Sequence, residues 1–378
     1  MEYLDAGLLG REAKAVPAGK RRRLLSLDIT RGATVAGMIL VNNGYGDGTL
    51  PMLLHATWNG LSLSDFVFPF FLFIMGVSIY LSLSKGGFRF RKSAVCKVCK
   101  RTILLIAIGL AINALGQAAW GGFVWSDFRF MAVLQRIALC YFLVAIFALC
   151  GKPRLTLPLA AALLAGYTVL LMLGNGYSEV PSDNILWRVD AWALGESHLY
   201  QWMPIDPEGI LGTMSSMVNT LLGFYCAQLF SKSQNVKDKV MEVFTFGTLL
   251  LFAGFVIHYF LPYNKNIWSP SFALTTSGAC ALLLALTMRV ADTGNCEQRN
   301  SWQRFLLVFG SNALFLYVSS EVMAIIFGAT GLNEWWYALI LTALPIPWIS
   351  SLLYALTYVA LNWWLGYLLW KRGIFIKL

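Results

Sequence analysis

Ten stretches of mostly apolar residues, each close to the roughly 20 needed to cross a bilayer core, follow one another along the chain. They lie near 26–42, 65–84, 102–119, 131–150, 155–174, 209–230, 242–261, 268–289, 305–328 and 349–370. Charged residues are 13% of the 378, about half the share in ordinary soluble domains, and the mean hydropathy is +0.63. Too little ionic surface is left to solubilise so much apolar area. The pattern predicts an all-α polytopic membrane protein, with a basic segment over 1–23 and a single transmembrane domain over 24–378. Trp335 to Leu344 form one more apolar stretch ahead of Pro345 and Pro347. It reads as a re-entrant or interfacial piece.

The net charge of +10 raises the question of nucleic acid, and the placement of the charges answers against it. With the N-terminus cytoplasmic, the inner segments hold 24 Lys or Arg, and the outer ones hold three, Arg129, Arg188 and Lys265. That asymmetry follows the positive-inside rule and predicts both termini in the cytoplasm. The outer loop 175–208 is acidic, carrying Glu179, Asp183, Asp190, Glu196, Asp206 and Glu208. Residues 1–23 are polar and end in Lys20-Arg21-Arg22-Arg23 without a cleavage site after an apolar core, so the first span reads as a retained anchor. No cysteine falls in an outer loop, and no structural disulfide is expected. Cys96-Lys-Val-Cys99 has the spacing of a metal knuckle, but it sits in a basic loop without a second ligand pair, and no metal is expected.

Ionisable residues within or beside a span are the first places to look for function. Asp28 and Arg31, at the inner entry of the first span, share a helical face. Two readings stand: a structural ion pair, or an Arg31 that meets phosphate through its planar guanidinium. At the outer end of that span Asn42 is placed to donate to an oxyanion or orient a substrate. His55, in His55-Ala-Thr-Trp58-Asn59-Gly60, is a candidate for proton transfer near neutral pH. His198 in the outer loop is its rival, while His258 lies in an apolar helix and reads as core. Asp65, ten residues after His55, caps the second span or orients the imidazole from its other nitrogen. Arg136 and Glu321 sit inside spans, either neutralising each other or lining a polar passage.

These residues carry a resemblance. Arg31-Gly32, the Met38–Asn42 segment, His55-Ala-Thr-Trp58-Asn59-Gly60 and Asp65-Phe-Val-Phe-Pro-Phe-Phe-Leu-Phe-Ile-Met-Gly76 are similar to the heparan-α-glucosaminide N-acetyltransferase family. So are Val133-Leu-Gln-Arg136, Asp206-Pro-Glu-Gly-Ile-Leu-Gly-Thr213, Asn264-Lys-Asn-Ile-Trp268-Ser, and Gly310-Ser-Asn312 with Tyr317 and Glu321. The blocks run in order over nearly all of 24–378. The resemblance implies an acyltransferase that takes acetyl from cytosolic acetyl-CoA and passes it across the membrane to a glucosamine or a glucosamine-ended glycan such as heparan sulfate. It maps the active histidine onto His55 and its companion asparagine onto Asn42. It also implies a homodimer in contact with membrane lipid. The chain lacks the long luminal N-terminal region of lysosomal members and looks like a homologue from a bacterial inner membrane, with His55 facing the periplasm.

On this reading the pantetheine arm threads the helix bundle from a basic inner mouth. Arg31, Lys97, Lys100 and Arg101 are candidates for the CoA phosphates, with Asp28 and Arg136 supporting the cofactor side. A single oxyanion donor such as Asn42 is worth about 2.7–4 kcal/mol of barrier. Direct transfer and a two-step route through acetyl-histidine both stand. Two other functions remain open: a carrier for amino sugars, which should show paired broken helices in an internal repeat, and O-acetylation of a surface glycan, which would lean harder on Asp65.

Overall fold

The computed structural model describes residues 24–151, 153–293 and 300–376. The Lys20–Arg23 cluster and Cys296 lie outside the described residues. The described chain is helical throughout: α1 (Leu25–Asn42), α2 (Val67–Leu83), α3 (Lys92–Gly121), α4 (Val133–Leu149), α5 (Thr156–Leu173), α6 (Ile185–Leu194), α7 (Thr213–Phe230), α8 (Val236–His258), α9 (Pro270–Ala291), α10 (Ser301–Ser311), α11 (Ala313–Thr330), α12 (Leu332–Ala343) and α13 (Pro347–Lys371). Among the described residues seven helices are long and apolar enough to cross a membrane. Each of the ten stretches read as spans holds a helix.

Lipid offers no hydrophobic drive for helices to associate, so they meet where small residues let backbones approach. A Cβ at Gly76 of α2 would strike the Thr220 carbonyl of α7, and one at Gly223 would strike the Phe73 carbonyl in return. Gly32 of α1 and Gly310 of α10 make the same reciprocal contact, against the carbonyls of Leu306 and Asp28. The α1–α10 contact forms one wall of the cavity described below.

α9 is the interior span, buried along most of its length. Its Ser and Thr content follows from that position, because polar groups in a protein interior need partners. Asn219 of α7 supplies them. Its amide donates to the Ala273 carbonyl (3.1 Å), Thr276 Oγ1 (3.2 Å) and Ser277 Oγ (2.9 Å), and its carbonyl accepts from Trp268 Nε1 (2.8 Å).

Two expectations are corrected. The segment read as one span over 305–328 is two helices, α10 and α11, broken at Asn312 (φ −126°, ψ 40°). The Asn312 side chain is committed instead to the C-terminal stretch, donating to the Ile374 carbonyl (3.1 Å) and accepting from the Ile376 amide (2.8 Å). Secondly, α3 starts at Lys92, well ahead of 102. Cys96 and Cys99 are therefore on a helix rather than in a loop, Cys96 exposed and Cys99 half-buried. The segment 175–208 contains α6. The stretch at 333–348 holds α12, a helix of 12 residues, too short to span.

Candidate active site

A cavity of about 670 Å³ runs through the bundle. At one end it is lined by Arg31, Ser78, Arg101 and Ser311; at the other by His55, Arg129, Glu208 and Lys265. Arg31 and Asn42, both on the wall, lie eleven residues apart on α1, about 17 Å along its axis. The middle of the passage is apolar, with Phe71, Ile74, Leu105 and Leu134 on its walls. It joins a basic end to a polar end through a largely apolar segment.

The polar end is built on two loops. Between α1 and α2, Asp65 closes a capping box: its Oδ2 accepts from the Ser62 amide (2.9 Å) and Ser62 Oγ (2.8 Å). Its other oxygen, Oδ1, lies 2.8 Å from His55 Nδ1. Both roles read for Asp65, cap and partner of the imidazole, are thus present in one carboxylate. Because that carboxylate accepts, Nδ1 carries the ring proton and Nε2 is left as the basic nitrogen. Asp65 is fully buried, while the His55 side chain is 46% exposed toward the mouth.

The second loop joins α8 and α9 and brings Lys265 against the same imidazole. Its Nζ lies 3.0 Å from Nδ1 and 3.1 Å from Nε2, and 3.7 Å from Asp65 Oδ1. Burial pulls the Lys265 ammonium below the usual lysine range, against the opposing fields of Asp65 and Glu208. Sequence reasoning counted Lys265 as an orientation charge only. The available signal was its place in the Asn264–Trp268 block.

The far wall is an ion-pair network. Arg129 donates to Asp206 through Nε (3.1 Å) and Nη2 (2.7 Å), and to Glu208 through Nη2 (2.7 Å). Its guanidinium lies 4.5 Å from the Tyr200 ring centre. The two carboxylates push the Arg129 pKa further above the ordinary arginine value, against the effect of burial. Arg136 holds the same segment from below, donating from Nη2 to the Gly209 carbonyl (2.9 Å) and lying over the Trp268 ring. Asp190 accepts from the Ile210 amide (2.8 Å).

The remaining residues named from sequence divide between the cavity and its surroundings. Arg31 and Arg101 line the cavity, and Arg31 donates to Asp28 Oδ1 (2.8 Å) and Ser78 Oγ (3.1 Å). Asp28 holds Arg31 from outside the lining. Lys97 and Lys100 are exposed on α3. Arg136 is buried away from the cavity and does not pair with Glu321. Asn42 and Glu321 both line the cavity, with the Asn42 amide against the Glu321 carboxyl. His198 binds the Phe128 carbonyl (2.7 Å) beside an aromatic cluster, and His258 stacks on Tyr263 with ring centres 3.9 Å apart.

Burial raises the Asp190 pKa to about 6. A carboxyl raised in the fold costs stability as pH climbs from its unfolded value, near 4, through 6. Asp190→Asn keeps an acceptor for Ile210 and removes that cost. The variant is expected to be up to about 3 kcal/mol more stable at pH 7.5, with no gain at pH 4. Thermal unfolding in detergent at the two pH values checks it.

The family model described as heparan-alpha-glucosaminide N-acetyltransferase, catalytic, matches residues 23–187. The human heparan-alpha-glucosaminide N-acetyltransferase is 31% identical over 361 aligned residues, covering 79% of this chain and 53% of the human protein. The mouse protein of the same name is 28% identical, with 80% and 54% covered. The chain thus spans about half the length of these curated relatives. The matched segment 23–187 includes Arg31, Asn42, His55, Asp65, Arg101 and Arg129.

Proposed function

Because the chain belongs to the heparan-α-glucosaminide N-acetyltransferase family, we propose that it moves acetyl from acetyl-CoA to the amino group of a glucosamine or glucosamine-ended glycan. The acetyl-CoA enters at the Arg31–Arg101 end of the cavity and the amino sugar at the His55 end. One observation carries the reading: a single cavity of about 670 Å³ reaches from those arginines to the imidazole. Two guanidiniums suit the CoA phosphates, and the apolar middle suits a pantetheine arm with its thioester. The charge asymmetry supports a cytoplasmic Arg31 and a His55 on the far side, and the resemblance supports a bacterial inner membrane with His55 facing the periplasm. The resemblance adds a homodimer.

The chemistry then follows from the partners of His55. The sugar arrives as an ammonium and gives its extra proton to water at the exposed mouth. The neutral amine attacks the thioester carbon, forming a C–N bond while the carbonyl electrons move to oxygen. His55 Nε2 takes the proton that the attack acidifies, and Asp65 holds the ring in the tautomer that leaves Nε2 free to do so. When the C=O reforms, the C–S bond breaks and the sulfur takes that proton, leaving CoA as the thiol. Asn42 and Glu321 are placed to orient the sugar.

Sealed vesicles test the sidedness. With acetyl-labelled acetyl-CoA on the Arg31 side and glucosamine only on the other, labelled N-acetylglucosamine is expected in the glucosamine compartment alone. Product that forms only when both substrates share one side overturns the transmembrane route. An acetylated His55 peptide trapped on rapid quench replaces direct attack by the two-step one.

A further inference from the structure

The tetrahedral intermediate of such a transfer needs a donor for the oxygen that becomes negative. The donor must lie near the base, because the oxygen and the attacking nitrogen share one carbon. Lys265 Nζ is 3.1 Å from Nε2, lines the same cavity, and has a side chain only 17% exposed. We propose that Lys265 is a further catalytic residue of the transfer, the cationic donor that stabilises the oxyanion beside His55. This inference rests on the acetyltransferase reading above.

The loop carrying Lys265 is fixed for such a role. Gly60 N–H donates to the Tyr263 carbonyl (2.8 Å), Asn264 Nδ2 to Asn59 Oδ1 (3.2 Å) and Asn266 Nδ2 to the Thr57 carbonyl (3.4 Å). Three bonds thus tie it to the loop that carries His55. Within the loop, Asn264 Oδ1 accepts from the Ile267 amide (3.1 Å), and Ser269 Oγ accepts from the Asn264 amide (3.1 Å). Donors held in place need no reorganisation as charge develops, which is what makes them effective.

An ammonium has three N–H donors. In the structure Nζ faces the imidazole and Asp65 Oδ1, 3.7 Å away. The entering amine displaces the contact with Nε2, and the freed N–H turns to the thioester oxygen. Asp65 and Glu208 favour the charged form of the ammonium through their fields. As the intermediate collapses, the oxygen's electrons return to the carbonyl and Lys265 resumes its contact with the ring. It gives up no proton over the cycle.

The test compares Lys265→Met and Lys265→Arg with the wild type. The Met variant is expected to lose about 100- to 1,000-fold in kcat, with KM for the amino sugar and the calorimetric Kd for acetyl-CoA within about threefold of wild type. The Arg variant, which keeps a cation, is expected to recover at least tenfold of that loss. A residue that only shaped the loop would move KM, Kd or the thermal midpoint, and Arg would not restore kcat. Should the Met variant fail to fold, Lys265→Gln makes the same comparison. An active wild type whose Met variant keeps kcat within about threefold overturns the Lys265 role alone, as does an Arg variant no better than Met. A wild type that transfers no acetyl from acetyl-CoA overturns the reading beneath it.

Discussion

His55→Ala is expected to reduce acetyl transfer by about 100- to 10,000-fold, the range lost with a positioned acid–base group, while the protein remains folded. The second half of that expectation comes from the environment of the ring. Its side chain is 46% exposed and lies at a loop, so truncation opens no cavity in the core. Asp65 keeps its bonds to the Ser62 amide and hydroxyl after the imidazole is gone. Lys265, 3.7 Å from Asp65, remains to compensate the buried charge. Asp65→Asn is a less clean probe, because it weakens the capping box and disturbs the ring tautomer at once. The measurement is turnover of acetyl-CoA with glucosamine as acceptor, beside a thermal midpoint within a few degrees of wild type. Turnover close to normal in a folded His55→Ala protein would remove the imidazole from the chemistry and leave the cavity without its base.

The limits of sequence reading show in particular residues. The His55–Asp65 pair was legible because both partners lie within one short block, where a loop and a capping turn force the carboxylate under the ring. Among the described residues, seven of the ten spans were legible, each holding a helix long and apolar enough to cross, because twenty-residue apolar runs have few other uses. The break at Asn312 was not, since hydropathy averages across a single residue whose amide bonds to backbone sixty positions away. Arg129 and Lys265 were counted only as outer charges. Their importance depends on Asp206, Glu208 and His55, each distant in sequence and reached only once the loops fold over the cavity. Arg136 and Glu321 failed to meet for the same reason: each found a nearer partner, in the Gly209 carbonyl and the Asn42 amide, that no pattern of charge could announce.

The wall opposite His55 gives the second large effect. Arg129→Met leaves Asp206, whose side chain is fully buried, and Glu208 without their shared cation. Removing one partner of a buried ion pair costs about 3–5 kcal/mol, because the other charge stays in a poor solvent. For a chain of this size that corresponds to a thermal midpoint lower by roughly 5 °C. Two amides, of Tyr200 and Glu208, still donate to Asp206, so the segment is weakened rather than released. The sign of the pH dependence follows. Without Arg129 the two neighbouring carboxylates repel one another in a poorly solvated wall, and acid relieves that repulsion. The gap between variant and wild type should therefore narrow on going from pH 7.5 to pH 5. Asp206→Asn in the same background should recover part of the loss at pH 7.5, since an amide keeps an acceptor without a charge. Thermal unfolding in detergent across that range decides the matter. A gap that stays constant with pH, or no recovery in the double variant, would mean that Arg129 holds the wall by packing on Tyr200 and not by its charge.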